Sequence, residues 1–296
     1  MSSVLYDTPG PRAKRRNVFY TIAFLAVLGL LVWWVLSALA DKNQLAADKW
    51  SPFVTDSRVW TTYLLPGLTE TLKAAALSIL IALPLGALLG IGRLSDHRWV
   101  RVPVGAVVEF FRAIPVLLLM MFAAALYREF TTISSDFRPL YAVVTGLVLY
   151  NASVIAEVVK AGVLSLPRGQ GDAAEALGMR KGQTMRYILL PQAVTVMLPA
   201  LVSQLVVIVK DTALGGALLG YAELLSQNRQ ITANYGANTI ATFTVIALIY
   251  IVINAIVTHL AGRLERRLRR GRKSAAVAIP AQAGPTDVKT DAVSGA

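Results

Sequence analysis

The sequence Asp172-Ala173-Ala174-Glu175-Ala176-Leu177-Gly178, followed after nine residues by Ile188-Leu189-Leu190-Pro191, is a short polar insert between two long apolar runs. Wound as a helix, it puts Ala173, Ala174 and Leu177 on one face, at i, i+1 and i+4. Small alanines let another protein's surface approach closely. Gly178 supplies a tight turn that a residue with a Cβ resists. Pro191 sits where a helix starts, a position proline tolerates. The expected object is a short amphipathic helix, a glycine break and a second helix entering an apolar phase.

The flanks name that phase. Of 296 residues, 55% are hydrophobic and 16% charged, and the mean hydropathy is +0.58. A soluble domain carries about 25% charged residues, so this chain cannot coat itself with polar groups, and it is too apolar to be disordered. A bilayer core needs about 20 apolar residues per helix. Six runs meet that need: 18–40, 74–92, 102–127, 139–164, 188–209 and 236–260. The third contains Glu109 and Arg112, and the fourth Glu157 and Lys160. The first opens after a basic stretch and ends on Ala38-Leu39-Ala40, as a signal peptide does. Its length exceeds the 7–15 residues, roughly, of a cleaved apolar region, so a retained helix is expected.

Six spans place residues 1–17, 93–101, 165–187 and 261–296 on one side of the membrane. Those segments hold 19 of the 29 lysines and arginines, and the other side holds 6. The positive-inside rule then predicts a multi-pass plasma-membrane protein in contact with lipid, with both termini cytoplasmic. The net charge of +12 is thereby accounted for without a nucleic-acid partner. The chain has no Cys and only His97 and His259, which excludes disulfides and thiolate or histidine metal clusters. No nucleophile–base set emerges, so no catalytic residue is assigned. No GxxxxGK[ST] occurs, so the chain carries no P-loop.

The 172–191 insert resembles the coupling-loop signature of the permease subunits of bacterial ABC importers: EAA, three residues, Gly, nine residues, I-x-L-P. Ala173, Ala174, Gly178, Ile188, Leu190 and Pro191 match it, and Asp172 stands where Glu is usual. Further stretches are similar to the polar amino-acid branch of that family. Glu109-Phe110-Phe111-Arg112-Ala113-Ile114-Pro115 resembles EFFRGTP, with Ala113 and Ile114 replacing Gly and Thr. Residues 150–162 resemble its fourth-span segment, with Lys160 where Arg is common. Lys210-Asp211-Thr212-Ala213-Leu214 resembles KDTSL, and Pro167-Arg168-Gly169-Gln170 resembles PKGQ. The resemblance covers residues 66–263. The opening Val4-Leu5-Tyr6-Asp7-Thr8-Pro9-Gly10-Pro11 and the extra first helix resemble the actinobacterial glutamate-uptake branch.

The resemblance implies an all-α type I ABC importer fold: a five-helix permease domain over 66–263, with a coupling loop at 165–187, preceded by an N-terminal helix over 18–40. It implies a pathway made with a second permease subunit, identical or homologous. It further implies an ATPase that binds ATP and magnesium and grips Asp172, Ala173, Ala174, Leu177, Gly178, Ile188 and Pro191. An extracellular binding protein would deliver the amino acid. This chain would then hold no cofactor, and glutamate or another polar amino acid would be its cargo. An ion-coupled secondary amino-acid transporter is the alternative, though it leaves the 172–191 spacing unexplained. Residues 1–17 are expected as a cytoplasmic N-terminus and 274–296, rich in Ala, Gly and Pro, as a disordered tail.

Ionisable groups inside spans are costly and point to function. Arg112, about ten residues and so roughly 15 Å into a continuous third span, is expected either to pair with Glu109 at i,i+3 or to meet a substrate carboxylate. Asn151, Ser153, Glu157 and Lys160 form a polar series on the fourth span, the last three on one face. Glu157 and Lys160 either pair with each other or take the ammonium and carboxylate of an amino acid. Lys210 and Asp211 close the uncharged run of the fifth span. The glycines beyond them, Gly215, Gly216 and Gly220, predict a helix break and a half-helix along the path.

Overall fold

The computed structural model describes residues 10–167 and 169–273, so Arg168, most of the opening motif and the 274–296 tail lie outside the described residues. The described chain is helical throughout. Helix α1 spans Pro11–Asp41, α2 Ala47–Trp50 and α3 Pro52–Thr55. A wide π turn, Val59–Leu64, runs into α4, Leu65–Gly92. Then come α5 (Arg98–Ala113), α6 (Val116–Phe130), α7 (Arg138–Leu164), α8 (Gly169–Ala176) and α9 (Lys181–Gln183). A second π turn, Thr184–Leu189, leads into α10 (Leu190–Leu218), followed by α11 (Gln227–Asn234) and α12 (Thr239–Lys273). Both π turns precede a proline, Pro66 and Pro191. Proline cannot donate to the carbonyl four residues back and its ring clashes there, so the turn widens.

Among the described residues, five stretches are long and apolar enough to cross a membrane, Pro11–Asp41, Val59–Gly92, Arg138–Leu164, Lys181–Leu218 and Thr239–Arg263, and the bent pair Arg98–Ala113 and Val116–Phe130 makes a sixth if taken as one span. The third run expected from sequence is not one straight helix. The chain bends by 99° between α5 and α6. Ile114 (ψ 130°) and Pro115 (ψ 132°) are both extended, because a residue before proline is pushed out of the helical region. Residue count therefore does not give the depth of Arg112, and the expected 15 Å does not apply.

Helix α7 is the centre of the bundle, packed by α4, α5, α6 and α10. Its tightest neighbour is α4, whose buried face is all small: Gly67, Thr71, Ala74, Ala75, Ser78, Ala82, Gly86 and Gly90. A Cβ on Gly86 would lie 2.6 Å from the Ile155 Cβ, and one on Gly90 2.7 Å from the Val159 Cβ. Gly86 and Gly90 form a G-x-x-x-G pair, the pattern by which membrane helices approach backbone to backbone. One apolar core joins Met120, Val143, Leu147 and Ile208 in the middle. A second gathers Ile155, Val159, Ala193 and Met197 toward the 169–187 end, and a third gathers Phe53, Val59, Leu224, Ile231 and Ile246 at the opposite end.

Helix α1 buries no residue. The connection from α1 to α4 is clasped onto the start of α12. The Gln44 amide donates to the Ala237 carbonyl (3.2 Å), the Lys49 ammonium donates to the Gly236 carbonyl, and the Tyr235 hydroxyl donates to Asp56 (2.8 Å). The Arg58 amide also donates to Asp56; these bonds hold its carboxyl below the usual carboxylate range.

Candidate functional site

At the 169–187 end, α8 closes with a two-bond cap. The Met179 N–H donates to the Ala174 carbonyl (3.1 Å) and the Gly178 N–H to the Glu175 carbonyl (2.9 Å). This Schellman arrangement needs a left-handed residue at Gly178, which has φ +76°. The expected shared face of Ala173, Ala174 and Leu177 is corrected. Ala174 turns inward, 3% exposed, where α8 packs on the Thr184–Leu189 turn, whereas Leu177 stands out, 82% exposed. Asp172 and Ala173 are exposed, Ile188 is half-buried and Pro191 is exposed at the start of α10. The outward surface is thus Ala173, Ala176 and Leu177, with Asp172 and Glu175 beside it.

Two polar ties fix this element to the bundle. The Gln192 amide donates to the Gln170 side chain (3.2 Å), and the Lys181 ammonium donates to Asp96 in the loop after α4. Lys181 holds the Asp96 carboxyl below its usual range. A cavity of about 400 Å³ lies between that loop and the Lys181–Met185 segment.

Next to it, five charged side chains from α4, α5 and α7 converge. Arg93, just past α4, has an 8%-exposed side chain and reaches Glu157 through Nη1 and Glu109 through Nη2 (3.2 Å). The Arg112 Nη1 lies 3.4 Å from the Glu157 Oε2, and the Lys160 Nζ lies 3.9 Å from its Oε1. The Arg112 and Lys160 side chains are 44% and 31% exposed. The sequence expectation is thus met in part: Glu157 and Lys160 do come together, but Glu157 is shared among three cations. Among the described residues, the ion pair of Arg112 runs to Glu157 rather than to Glu109. Arg93 is the member that sequence reasoning missed. It reads as the first basic residue of a connecting loop, and its acidic partners lie 16 and 64 residues away.

The other polar residues of the spans divide. Asn151 and Ser153 are buried. The Asn151 amide donates to the Leu147 carbonyl (2.7 Å) and accepts from the Gln204 amide, and the Ser153 hydroxyl donates to the Leu149 carbonyl (2.9 Å). Both side chains are thus turned into the bundle, and Ser153, a turn before Glu157 on α7, is more buried than Glu157 and Lys160. Lys210 is exposed and lines a cavity of about 480 Å³ with Tyr250 and Asn254, and Asp211 is half-buried. No break occurs beside them. Helix α10 continues through Gly215 and Gly216, and the chain turns at Gly220 (φ +70°).

Past that turn lies Glu223, fully buried, which the sequence did not single out. It accepts from the Leu225 N–H (2.7 Å), the Ser226 N–H (2.8 Å) and the Tyr250 hydroxyl (2.8 Å). Burial pushes its carboxyl up from the usual range, and those three donors oppose the push. Tyr221 donates to the Glu70 carbonyl (2.8 Å), and Leu224 N–H to the Thr71 hydroxyl (3.1 Å), so this loop locks α10, α4 and α12 together. Among the described residues no group of His, Asp and Glu is arranged to hold a metal.

Residues 82–270 match the family described as binding-protein-dependent transport system inner membrane component. The chain is 48% identical over 246 residues to the glutamate transport system permease protein GluD of Corynebacterium glutamicum, covering 82% of this chain and 89% of that one. It is 33% identical over 218 residues to the glutamine transport system permease protein GlnP of Escherichia coli, covering 72% and 97%. Among solved structures, an amino acid ABC transporter crystallised with histidines superposes with a TM-score of 0.63 at 28% identity, over 70% of this chain and 95% of that one. The MetNI methionine ABC transporter, in an inward-facing conformation, superposes at 0.59 and 26% identity, over 73% and 99%.

Proposed function

Because this chain belongs to the binding-protein-dependent transport system inner membrane components, and is the permease subunit of an amino-acid ABC importer rather than an enzyme, we propose that its cargo is an acidic amino acid, glutamate first. Family membership sets aside the ion-coupled secondary transporter. It also implies an ATPase and a binding protein as partners. The finer assignments are ours. A second permease subunit completes the path. The ATPase, which binds ATP and magnesium, grips the Asp172–Gly178 element and its continuation through Ile188 and Pro191. Both termini are cytoplasmic, as the lysine and arginine distribution favours. Arg112, Glu157 and Lys160 border the path near its inner end, with Lys210 and Asp211 farther along it.

The observation that carries the acidic cargo is a surplus of cations. Arg93, Arg112 and Lys160 converge on only two carboxylates, Glu109 and Glu157. Arg112 and Lys160 are also partly open, so a carboxylate arriving from the path meets available donors. The name of the Corynebacterium relative agrees with this reading. Motion of the ATPases would turn the Gly178 element and change how the charged cluster is presented. Transport is then driven only by a difference in cargo affinity between the two states.

The test is reconstitution of the whole complex in liposomes, with cargo supplied on the binding protein. ATP-dependent accumulation of glutamate in preference to glutamine and arginine is expected. Preferred uptake of arginine would overturn the acidic cargo, and accumulation without the ATPase would overturn the coupling.

A further inference from the structure

Arg93 has no task in the account above beyond adding to the local charge, yet it is the most buried member of its cluster. We propose that Arg93 is a positioning residue that sets the charge preference of the path: it takes up both carboxylates and so leaves Arg112 and Lys160 open to an acidic cargo. The inference rests on the acidic-cargo reading and deepens it.

The geometry divides the cluster into a closed part and an open part. The Arg93 guanidinium sits at the junction of α4, α5 and α7, with one nitrogen on Glu157 and another on Glu109. A planar fork suits such a bridge, and a lysine ammonium does not reproduce it. Arg112 and Lys160 approach Glu157 at 3.4 and 3.9 Å. Both are longer than the two Arg93 contacts, which are hydrogen bonds, and exceed the roughly 2.7–2.9 Å of a strong charge-assisted one. Arginine has five N–H donors and lysine three, so most of theirs are uncommitted. Without Arg93 the two carboxylates would fall to Arg112 and Lys160, which would then be matched in number and occupied. Removing the Glu157 charge as well restores a surplus of one cation.

The experiment measures equilibrium binding of radiolabelled L-glutamate to the purified complex of permease subunits and ATPase, without ATP, with L-glutamine as competitor. Arg93→Gln is expected to weaken glutamate binding about tenfold, the size of one charge-assisted contact, and to leave glutamine competition unchanged. Arg93→Gln combined with Glu157→Gln is expected to recover most of the glutamate preference, which repair of mere packing would not do. Glu109→Gln, at an exposed position that folding tolerates, keeps Arg93 and is expected to strengthen glutamate preference severalfold. Equal losses for both amino acids in Arg93→Gln, no recovery in the double variant, or no gain in Glu109→Gln would each overturn the role of Arg93. A wild-type complex that prefers glutamine or arginine would instead overturn the acidic-cargo reading, and this inference with it. A wild type and an Arg93→Gln variant that prefer glutamate alike would remove the inference alone.

Discussion

A left-handed residue, Gly178, at the end of an eight-residue helix sets where the proposed docking surface points. Gly178 has open space around its missing side chain, so its requirement is conformational rather than steric. An L-residue there costs about 1–2 kcal/mol in the left-handed region. Gly178→Ala is therefore expected to redirect the chain after α8 and reduce cargo uptake, with the protein still in the membrane; Gly178→Asp is expected to be more severe. Leu177→Ser should act differently. Its side chain is exposed, so ATPase co-purification is expected to fall while the permease's own melting temperature is unchanged. An unaltered ATPase yield with Leu177→Ser would remove that residue from the docking surface. Ala174, which sequence spacing groups with Leu177, belongs to the packed side, and a bulky residue there is a packing defect first. Sequence places a glycine turn correctly, since the turn is local. It does not tell which alanine of an adjacent pair faces inward, because that depends on the Thr184–Leu189 turn packed against it.

At the scale of helices, the α4–α7 contact is the most demanding in the bundle. A Cβ on Gly90 would also meet the Ala156 carbonyl at 2.8 Å, a backbone atom that cannot swing away. Gly90→Ala is expected to destabilise by about 1–3 kcal/mol and lower Tm by roughly 2–8 °C. Gly105→Ala, at a position with nothing within 4 Å, is the control expected to leave Tm unchanged, and equal melting of the two variants would discount the close approach. The long apolar runs were legible because a bilayer imposes a length and an almost charge-free composition on each. The α5–α6 corner was not, since Pro115 lies inside such a run and membrane helices often tolerate proline. The small-residue face of α4 was legible in principle as Gly86-x-x-x-Gly90. Of the partners of Glu157, Lys160 was legible at i,i+3, but Arg93 and Arg112 were not: they come from other segments, and only the assembled bundle brings them to Glu157.

For the molecule as a whole, α1 stands apart. It is apolar over residues 18–40, it buries no residue, and its connection to the bundle is the clasp between residues 42–58 and the start of α12. Deleting residues 1–41 is expected to leave the melting temperature of the remaining bundle within about 2 °C of the full chain and to preserve ATPase association. A collapse of either would assign α1 a structural duty to the fold.

The stripe of glycine, alanine, serine and threonine on α4 also constrains how such a molecule moves. With backbones this close and side chains this short, α4 and α7 have no deep grooves through which to slide, and Arg93 pins their ends. They behave as one plank. Any relative movement of helices is then expected to spare the α4–α7 contact and to fall on other contacts of the bundle.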